Sequence, residues 1–235
     1  MSGILYLVPT PLGDATDASQ FSPTFQTHVR SLRYFIAENA KTARAFLKLM
    51  QMPGPIAELR IETLNADTDE AALDKLLAPL LAGQDAALMS EAGAPAVADP
   101  GARLVALAHS NGIQVVPLVG PSALLLGLMA SGLNGQQFAF HGYLPVDEVA
   151  LNKKLQELEE ESRRKAQTQL FIETPYRNDR LLRILCDRLS PNTRLCVATQ
   201  LTQPDESITT RRIAEWKSAM PTLGKKPTVF LFLAR

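Results

Sequence analysis

Three loops, each following a short apolar run, are rich in glycine, proline and other small residues. They are residues 9–14 (the first loop), 90–101 (the second loop) and 119–123 (the third loop). Small side chains let a ligand approach the backbone, whose N–H and C=O groups then recognise it. In an open α/β sheet, ligands bind beyond the carboxyl ends of the strands. We therefore expect the three loops to converge on one ligand-binding crevice.

Several common ligand motifs are missing from the sequence. No GxGxxG is followed by an acidic residue at the ribose-binding distance, and no GxxxxGK[ST] occurs, which argues against a dinucleotide dehydrogenase and a P-loop nucleotidase. Cys186 and Cys196 have no CxxC spacing and no neighbouring histidine, so neither a zinc site nor a disulfide scaffold is expected. We predict no metal, and two free thiols suit a reducing cytoplasm.

The balance of charges excludes a strongly basic protein. Across 235 residues, 24 Lys and Arg are matched by 24 Asp and Glu, so no global field draws the chain onto nucleic acid. A local basic patch stays open: Arg211, Arg212, Lys225 and Lys226 are candidates for a basic edge, with ordinary exposed charge as the alternative. Apolar residues make up 46% of the chain, enough for a sizeable core.

An uncharged stretch, residues 104–146, raises the question of a membrane span. Two prolines and two glycines within residues 117–127 divide it into a strand, a tight turn and a helix over residues 122–132, which favours a buried core. The flanks also lack the Lys and Arg bias of membrane anchors. The N-terminal apolar run stops at Pro9, too short for a signal peptide. We expect a cytoplasmic protein without a membrane span.

In the first half of the chain, short β-type runs alternate with helical segments. The runs lie at residues 4–8, 34–37, 85–89 and 114–117. Helices are predicted from Pro23, over residues 40–50, and from Thr68 onward with Asp67 or Thr68 as the N-cap. Alternation of this kind predicts an α/β domain with a mainly parallel sheet.

The second half predicts a more mixed α/β domain. A charged helix over residues 147–165 places Leu151, Leu155 and Leu158 on one face, which is typical of a solvated outer helix. It is followed by a strand at 169–173, a helix at 178–189, and strands at 194–198, 207–211 and 228–234 that favour antiparallel pairing. We therefore expect two domains, residues 1–117 and residues 118–235.

Five motifs, taken in order, resemble those of the tetrapyrrole methylase superfamily. They are LYLVPTPLG (residues 5–13), SEAGAP with DPG (90–95 and 99–101), VPL with GP (116–121), GYLP (142–145) and FIETPYR (171–177). Within the superfamily the chain is similar to the branch of ribose 2′-O-methyltransferases that act on cytidine of small-subunit ribosomal RNA. The resemblance covers nearly the whole chain, and the ordered series is more specific than any one motif.

The resemblance implies a two-domain α/β fold, with a mainly parallel sheet in the first domain, a mixed sheet in the second, and S-adenosylmethionine in the cleft between the domains. It also implies a homodimer, and the apolar span 104–146 fits a contact between two copies. The cofactor-binding residues carried over by position are Pro11, Ser90, Ala92, Gly93, Val97, Ser122, Ala123, Phe171, Leu201, Pro227 and Thr228. Ser122 and Ala123, at a helix N-terminus, are expected to direct N–H dipoles toward the cofactor carboxylate; a plain N-cap is the alternative for Ser122.

The substrate side departs from the family pattern at two places. The branch has Glu-Asp-Thr-Arg after its second strand, whereas this chain has Glu38-Asn39-Ala40-Lys41. The branch also has a His-Asp-His-Asn-Glu run, whereas residues 65–69 here read Asn-Ala-Asp-Thr-Asp. The cofactor side therefore resembles the family, and the substrate side is altered.

Glu38 is the first candidate for a catalytic residue. Methyl transfer is a displacement at carbon that depends chiefly on alignment and desolvation, but a hydroxyl acceptor also benefits from a general base. Glu38 suits that role, with Lys41 or Arg44 orienting a phosphate or an acid of the substrate. The alternative is that these three residues form ion pairs on a helix surface.

Three further acids are weaker candidates for the base: Glu91, Asp99 and Glu173. Asp99 precedes Pro-Gly, which is more typical of a turn or a helix cap. Glu173 is spaced to pair with Arg177.

Three functions follow from these observations. The first is an S-adenosylmethionine-dependent methyltransferase acting on a ribose 2′-hydroxyl of ribosomal RNA. The second keeps the chemistry but takes a small-molecule acceptor, which zero net charge and the altered residues 38–41 favour. The third is a catalytically silent protein that binds the cofactor.

Overall fold

In the computed structural model, which describes residues 1–15 and 17–235, the chain divides into two units. Unit 1 comprises Met1–Ser122 and unit 2 comprises Ala123–Arg235. The boundary between the units lies within the third loop, after Ser122. The sequence placed it five residues earlier, after Pro117 at the end of the preceding strand.

Unit 1 is built on a sheet of five parallel strands. The strands are β1 (Ile4–Val8), β2 (Tyr34–Ala37), β3 (Arg60–Thr63), β4 (Ala86–Met89) and β5 (Gln114–Pro117), in the order β3-β2-β4-β1-β5. The predicted parallel sheet is confirmed. The sequence missed β3 because this edge strand alternates charged residues with others, and none of them is fully buried.

Four helices flank this sheet: α1 (Pro23–Ser31), α2 (Ala40–Leu49), α3 (Glu70–Leu81) and α4 (Gly101–Ser110). Ser22 caps α1 as expected, since its side chain accepts the Phe25 N–H. The predicted cap of α3 was wrong: Asp69 is the N-cap, and its Oδ1 accepts the Ala72 N–H at 2.8 Å. The Thr68 hydroxyl is engaged instead with Asn65, accepting the Asn65 N–H and donating to its Oδ1.

Apolar side chains cover both faces of the unit 1 sheet, as a buried parallel sheet requires. Neighbouring strand residues point to opposite faces: Leu5 joins a cluster with the leucines of α3, and Tyr6 joins a cluster with α1 and α2. Side chains buried on the α1 and α2 face include Val8, Phe21, Phe25, Phe35, Phe46 and Leu47. The sheet is thereby fixed from both sides, and its strand ends carry the loops.

Unit 2 contains a mixed sheet, as predicted. Its elements are α5 (Ala123–Ser131), β6 (Phe138–Tyr143), α6 (Glu148–Lys165), β7 (Thr168–Ile172), α7 (Asn178–Arg188), β8 (Arg194–Thr199), β9 (Ser207–Arg212), α8 (Ile213–Ser218) and β10 (Thr228–Leu233). The order is β6-β7-β10-β8-β9; β6 and β7 are parallel and the other neighbours antiparallel. The sequence missed β6, where Gly142 has φ 64° and the register shifts between Phe140 and Tyr143.

The leucine face predicted for residues 147–165 is confirmed, because Leu151, Leu155 and Leu158 are buried in the unit 2 core. They pack in a cluster with the leucines of α7, with aromatic rings of β7 and β10, and with Trp216. The uncharged stretch forms β5, α5 and β6. Among the described residues, no helix has both the length and the apolar composition that crossing a membrane would require.

We predict that Tyr34 makes stability fall at high pH. Its hydroxyl donates to the Leu76 carbonyl at 3.0 Å, and burial raises its pKa from 10.0 to about 12. Between these two pH values the unfolded chain loses the phenol proton while the folded chain keeps it, so the free energy of unfolding decreases as pH rises. Tyr34→Phe should lower that free energy by about 1 kcal/mol at neutral pH and remove part of the alkaline decrease.

Urea unfolding across this pH range measures both effects. Tyr176→Phe is the matched control, since the Tyr176 side chain is exposed. Equal stability and an equal alkaline slope in wild type and Tyr34→Phe would contradict the prediction.

Candidate active site

The first and second loops are joined by backbone hydrogen bonds at the carboxyl ends of β1 and β4. The Thr10 N–H donates to the Gly93 carbonyl at 3.0 Å, and the Gly93 N–H donates back to the Thr10 carbonyl at 3.1 Å. The buried Ser90 hydroxyl donates to the same Gly93 carbonyl at 2.9 Å. The two loops are therefore held as one surface.

The third loop lies against the first. A Cβ atom built on Gly120 would lie 2.5 Å from Cβ of Pro9, so a side chain at residue 120 would collide with the first loop. Pro121 also approaches the second loop, with its carbonyl oxygen 3.7 Å from the position of a Cβ on Gly93. The three loops therefore lie against one another within unit 1, as expected; that they form one ligand-binding crevice stays a prediction.

Gly93 is required at its position by its conformation and by its surroundings. Its φ is +78°, and a Cβ there would lie 3.0 Å from Cδ2 of Leu12. An L-residue with this φ is strained, and a side chain would press on the first loop. The fit of the first two loops therefore depends on glycine here.

The second loop contains a strained turn around Val97. Ala96 and Ala98 have φ values of 64° and 60°, which alanine rarely adopts. Asp99 holds the turn, since its Oδ1 accepts the N–H groups of Ala96 at 2.8 Å and of Gly101 at 2.7 Å. Of the two expectations for Asp99, the turn is confirmed, whereas the N-cap of α4 is Pro100. Backbone strain of this kind is often found at ligand sites. In this turn the Val97 side chain is about half exposed.

Glu38 lies next to the second loop because β2 and β4 are neighbouring strands. Glu38 follows Ala37, which pairs with Met89 just before that loop. Partial burial raises the pKa of the Glu38 carboxyl, and the negative charges of Glu91 and Asp99 raise it further. Burial also raises the pKa of Asp99, although its two N–H partners oppose this. Glu38 therefore holds its proton at a higher pH than an ordinary glutamate.

Lys41 and Arg44 do not pair with Glu38, so the ion-pair alternative fails. Glu38 precedes α2, whose N-cap is Asn39, with its Oδ1 accepting the Lys41 N–H at 2.9 Å. No ion pair joins Glu38 to Lys41 or Arg44 in residues 1–15 and 17–235. Lys41 is exposed, and Arg44 donates weakly to the Ala40 carbonyl at 3.4 Å.

A groove of about 850 Å³ lies in unit 1 beside the first and second loops. Pro11, Ser90 and Ala92, which the sequence proposed as cofactor contacts, line it together with polar residues that sequence reasoning missed. Among these is Arg30, whose Nε donates to the Met50 carbonyl at 2.6 Å and whose Nη2 donates to Gln26 at 3.2 Å. The four-residue spacing of Gln26 and Arg30 indicates that they share one face of a helix, but it does not indicate that this face lines a groove.

In unit 2 the four proposed cofactor residues differ in exposure. Phe171 is fully buried, and its ring stacks on Phe230 with 5.9 Å between ring centroids. Leu201 and Thr228 are also buried, whereas Pro227 is exposed. Of the third-loop pair, Ser122 ends unit 1 and Ala123 begins α5, as predicted.

Asn178 holds the segment that contains Pro227 and Thr228, and sequence reasoning missed it. Its Nδ2 donates to the Lys226 carbonyl at 2.7 Å and to Oγ1 of Thr228 at 3.1 Å. Its Oδ1 is buried and accepts from no group among the described residues. A buried acceptor without a donor is costly to the folded state.

The remaining acid, Glu173, is committed to structure, as its spacing from Arg177 indicated. Its Oε1 accepts from Nη2 of Arg177 at 2.6 Å and from the Thr174 N–H at 2.6 Å. No group of three His, Cys, Asp or Glu residues able to hold a metal ion occurs in the described part of the chain.

Comparison with known proteins gives a consistent result. The family model described as Tetrapyrrole (Corrin/Porphyrin) Methylases matches residues 5–217. The protein named ribosomal RNA small subunit methyltransferase I is 32% identical in Xylella fastidiosa over 88% of this chain and 71% of that protein. The protein of that name in Mesorhizobium japonicum is 34% identical over 93% of this chain and 71% of that protein.

A solved structure supports the fold. The crystal structure of the methyltransferase CobJ matches with a TM-score of 0.65, covering 99% of this chain and 95% of that one. Its sequence is 18% identical, so the likeness bears on the fold alone.

We predict that the charge of Glu91 acts on Glu38. In Glu91→Gln the pKa of Glu38 should fall toward the ordinary glutamate value, because one of the two negative charges that raise it is removed. Carboxyl ¹³C NMR titration measures this shift, which should be larger at low ionic strength since Glu91 is exposed. Glu58→Gln is the control and should leave the pKa of Glu38 unchanged; the same titration curve for Glu38 in wild type and Glu91→Gln would refute the coupling.

Proposed function

The chain belongs to the tetrapyrrole methylase family and is a methyltransferase, and on this premise we propose that it transfers the methyl group of S-adenosylmethionine to a ribose 2′-hydroxyl of ribosomal RNA. The observation that carries the proposal is the similarity to ribosomal RNA methyltransferases, which extends over about nine-tenths of the chain. The first two of the five motifs form the joined loops of unit 1.

The residues present fit this cofactor in each unit. In unit 1, the joined loops present small residues, with Ala92 and Val97 exposed on either side of Gly93 in the sequence. In unit 2, Nδ2 of Asn178 holds the segment of Pro227 and Thr228 in place, and Pro227 is exposed there to meet a ligand. Phe171, Leu201, Pro227 and Thr228 remain predicted contacts of the adenine side. Bound S-adenosylmethionine supplies a methyl group activated on a sulfonium.

Glu38 is proposed as the base that accepts the proton of the ribose hydroxyl. Its raised pKa brings it nearer to the pH at which a general base is most effective, and it has no ion-pair partner among the described residues. Asp99 is less suited, because two backbone N–H groups occupy its Oδ1. Glu173 is less suited because it is bound by Arg177 and Thr174.

Lys41 is proposed to hold a phosphate of the acceptor. Lys41 is exposed in the first turn of α2, three residues after Glu38, and no carboxylate pairs with it in the part of the chain that is described. The 850 Å³ groove beside the first and second loops is large enough for a nucleotide-sized group.

A small-molecule acceptor is the second candidate. The net charge of zero and the altered residues 38–41 and 65–69 favour it over RNA. In the structure, Asn65 binds its own turn through Asp67 and Thr68, so this segment offers less free polar surface to a substrate.

Methyl transfer from tritiated S-adenosylmethionine tests the proposal. The full chain is incubated with ribosomal subunits and, separately, with bulk metabolites, and nucleosides from the RNA are then examined by mass spectrometry. Label in a 2′-O-methylnucleoside supports the proposal, and label only in small molecules favours the second candidate. Labelling of neither would leave a silent cofactor-binding protein and overturn both.

We predict that Glu38→Gln lowers turnover on the labelled acceptor by roughly 10²–10⁴-fold while cofactor affinity stays unchanged. The matched variant Lys41→Ala should instead raise the KM for the acceptor and reduce its dependence on salt. Single-turnover rates and calorimetry separate the two effects. Full activity of Glu38→Gln would exclude the base role.

We predict that Gly93→Ala loses cofactor binding. A methyl group there strains the φ of +78° and presses on Leu12, which disturbs the pairing of Thr10 with Gly93. Gly54→Ala is the matched control, because Gly54 also has a positive φ, +92°, but nothing lies within 4 Å of its added Cβ. Both variants should lose comparable stability, about 1–2 kcal/mol, and only Gly93→Ala should lose binding of S-adenosylmethionine by calorimetry. Equal affinity in the two variants would contradict this placement.

The homodimer and the cytoplasmic location stay predictions. Leu125 and Met129 leave exposed apolar surface on one face of α5, which fits a contact between copies. Cys186 and Cys196 are free and buried, which fits a reducing compartment.

A further inference from the structure

A second groove, of about 610 Å³, lies in unit 2 and is lined mainly by arginine side chains. Its lining residues are Asn192, Arg194, Thr210, Arg211, Arg212, Glu215 and Arg235, and we call it the arginine groove. Four of these seven lining residues are arginines, although the net charge of the chain is zero. The basic edge considered for Arg211 and Arg212 therefore exists, but with Arg194 and Arg235 as its other members.

The strand pairing places like charges opposite each other in this groove. In the antiparallel pair of β8 and β9, Arg194 is the direct cross-strand partner of Arg212. Like charges at such positions destabilise a sheet unless something neutralises them. A bound anion would turn this repulsion into a favourable arrangement.

Two of the arginines are held in place by other contacts. Nη2 of Arg194 donates to the Gly132 carbonyl at 3.2 Å. The guanidinium of Arg211 lies 5.3 Å from the centre of the Trp216 ring, and Trp216 is itself fixed because its Nε1 donates to the Leu195 carbonyl at 2.9 Å. The groups are thus partly ordered before any ligand binds, which lowers the entropic cost of binding.

The protein itself does not neutralise these charges. None of the ion pairs in residues 1–15 and 17–235 includes Arg194, Arg211, Arg212 or Arg235. Glu215 contributes the one carboxylate in the described lining, and its Oε2 accepts the backbone N–H of Arg212 at 2.7 Å.

A purely structural role offers the competing explanation. β9 is the edge strand of the unit 2 sheet, and charged side chains on an edge prevent pairing with another chain. That role does not require a groove, nor an arginine on the inner strand β8 opposite Arg212. The geometry therefore favours a ligand.

We propose that the arginine groove binds phosphate groups of an RNA backbone. Guanidinium groups match phosphate oxygens in a bidentate manner, and Asn192 adds a neutral donor at the same groove. The choice of RNA rests on the proposed function; the phosphate chemistry rests on the groove. Phosphate contacts fix the position of RNA and carry no sequence information.

Binding of fluorescent single-stranded RNA to the full chain, without methyl donor, tests the proposal. The double variant Arg211→Gln/Arg212→Gln is compared with wild type over a range of salt concentrations, using two RNAs of unrelated sequence. Arg183→Gln is the matched control, since Arg183 is exposed in unit 2 and its Nε bonds to the Asp179 carbonyl of its own helix. Circular dichroism confirms that each variant is folded.

We expect the double variant to bind both RNAs more weakly, with the slope of log affinity against log salt reduced by roughly 1–2, while the control binds like wild type. Arg212→Lys should restore part of the salt dependence of RNA binding, because lysine returns the positive charge but not the planar guanidinium that binds phosphate in a bidentate manner. Unchanged RNA binding in the double variant overturns the proposal. If light scattering also shows that this variant forms new assemblies, the arginines serve instead to prevent pairing of the edge strand with another chain. Loss of inorganic phosphate binding without loss of RNA binding overturns it in favour of a small-anion site.

The two proposals fail separately. If RNA is methylated but the double variant binds RNA like wild type, the proposed function stands and the proposed role of the arginine groove is wrong. If RNA binding depends on the arginines but no RNA is methylated, the proposed role of the arginine groove stands and the proposed function is wrong.

Discussion

The two-way backbone pairing of Thr10 with Gly93 is the constraint on which the candidate active site depends. It joins the loops that leave β1 and β4, two neighbouring parallel strands, and the Ser90 hydroxyl reinforces it. Because the pairing demands a positive φ at residue 93 and no side chain beside Leu12, glycine is the residue that satisfies it without strain. Gly120 meets a similar demand where the third loop lies against Pro9. The glycines of these loops are therefore needed for the loops to pack against one another, apart from any ligand.

The acids around this surface have different roles because their hydrogen-bond partners differ. Asp99 and Glu173 are occupied: one holds a strained turn, and the other binds an arginine and a backbone N–H. Glu38 sits at the end of β2 with its pKa raised by burial and by two neighbouring carboxylates. The same residue type can therefore serve structure or chemistry, and the number of donors that reach the carboxylate separates the two.

Departures from the family pattern have local structural explanations. Asn39 replaces an aspartate of the ribosomal RNA methylase branch, yet it caps α2 through its side-chain oxygen, as an aspartate would. Residues 65–69 form a turn that bonds to itself and ends in Asp69, the cap of α3. Both segments keep the helices in place while changing the polar groups that a substrate would meet.

The sequence by itself determined the two α/β units, the parallel and mixed sheets, and the glycine and proline loops, because periodicity and turn residues are local signals. It did not determine β3 or β6: the first is a charged edge strand, and the second contains a register shift, so neither has a clean alternating pattern. Nor did it separate Asp69 from its neighbours as a cap, since Asp67 and Thr68 are equally suitable by type and hydrogen bonding to Asn65 decides between them. The tertiary structure alone brought Glu38 beside Glu91 and Asp99, left Oδ1 of Asn178 without a donor, and set Arg194 opposite Arg212. The first and last of these depend on which strands are neighbours, and the second on which segment packs against α7. Residue spacing does not encode such long-range contacts.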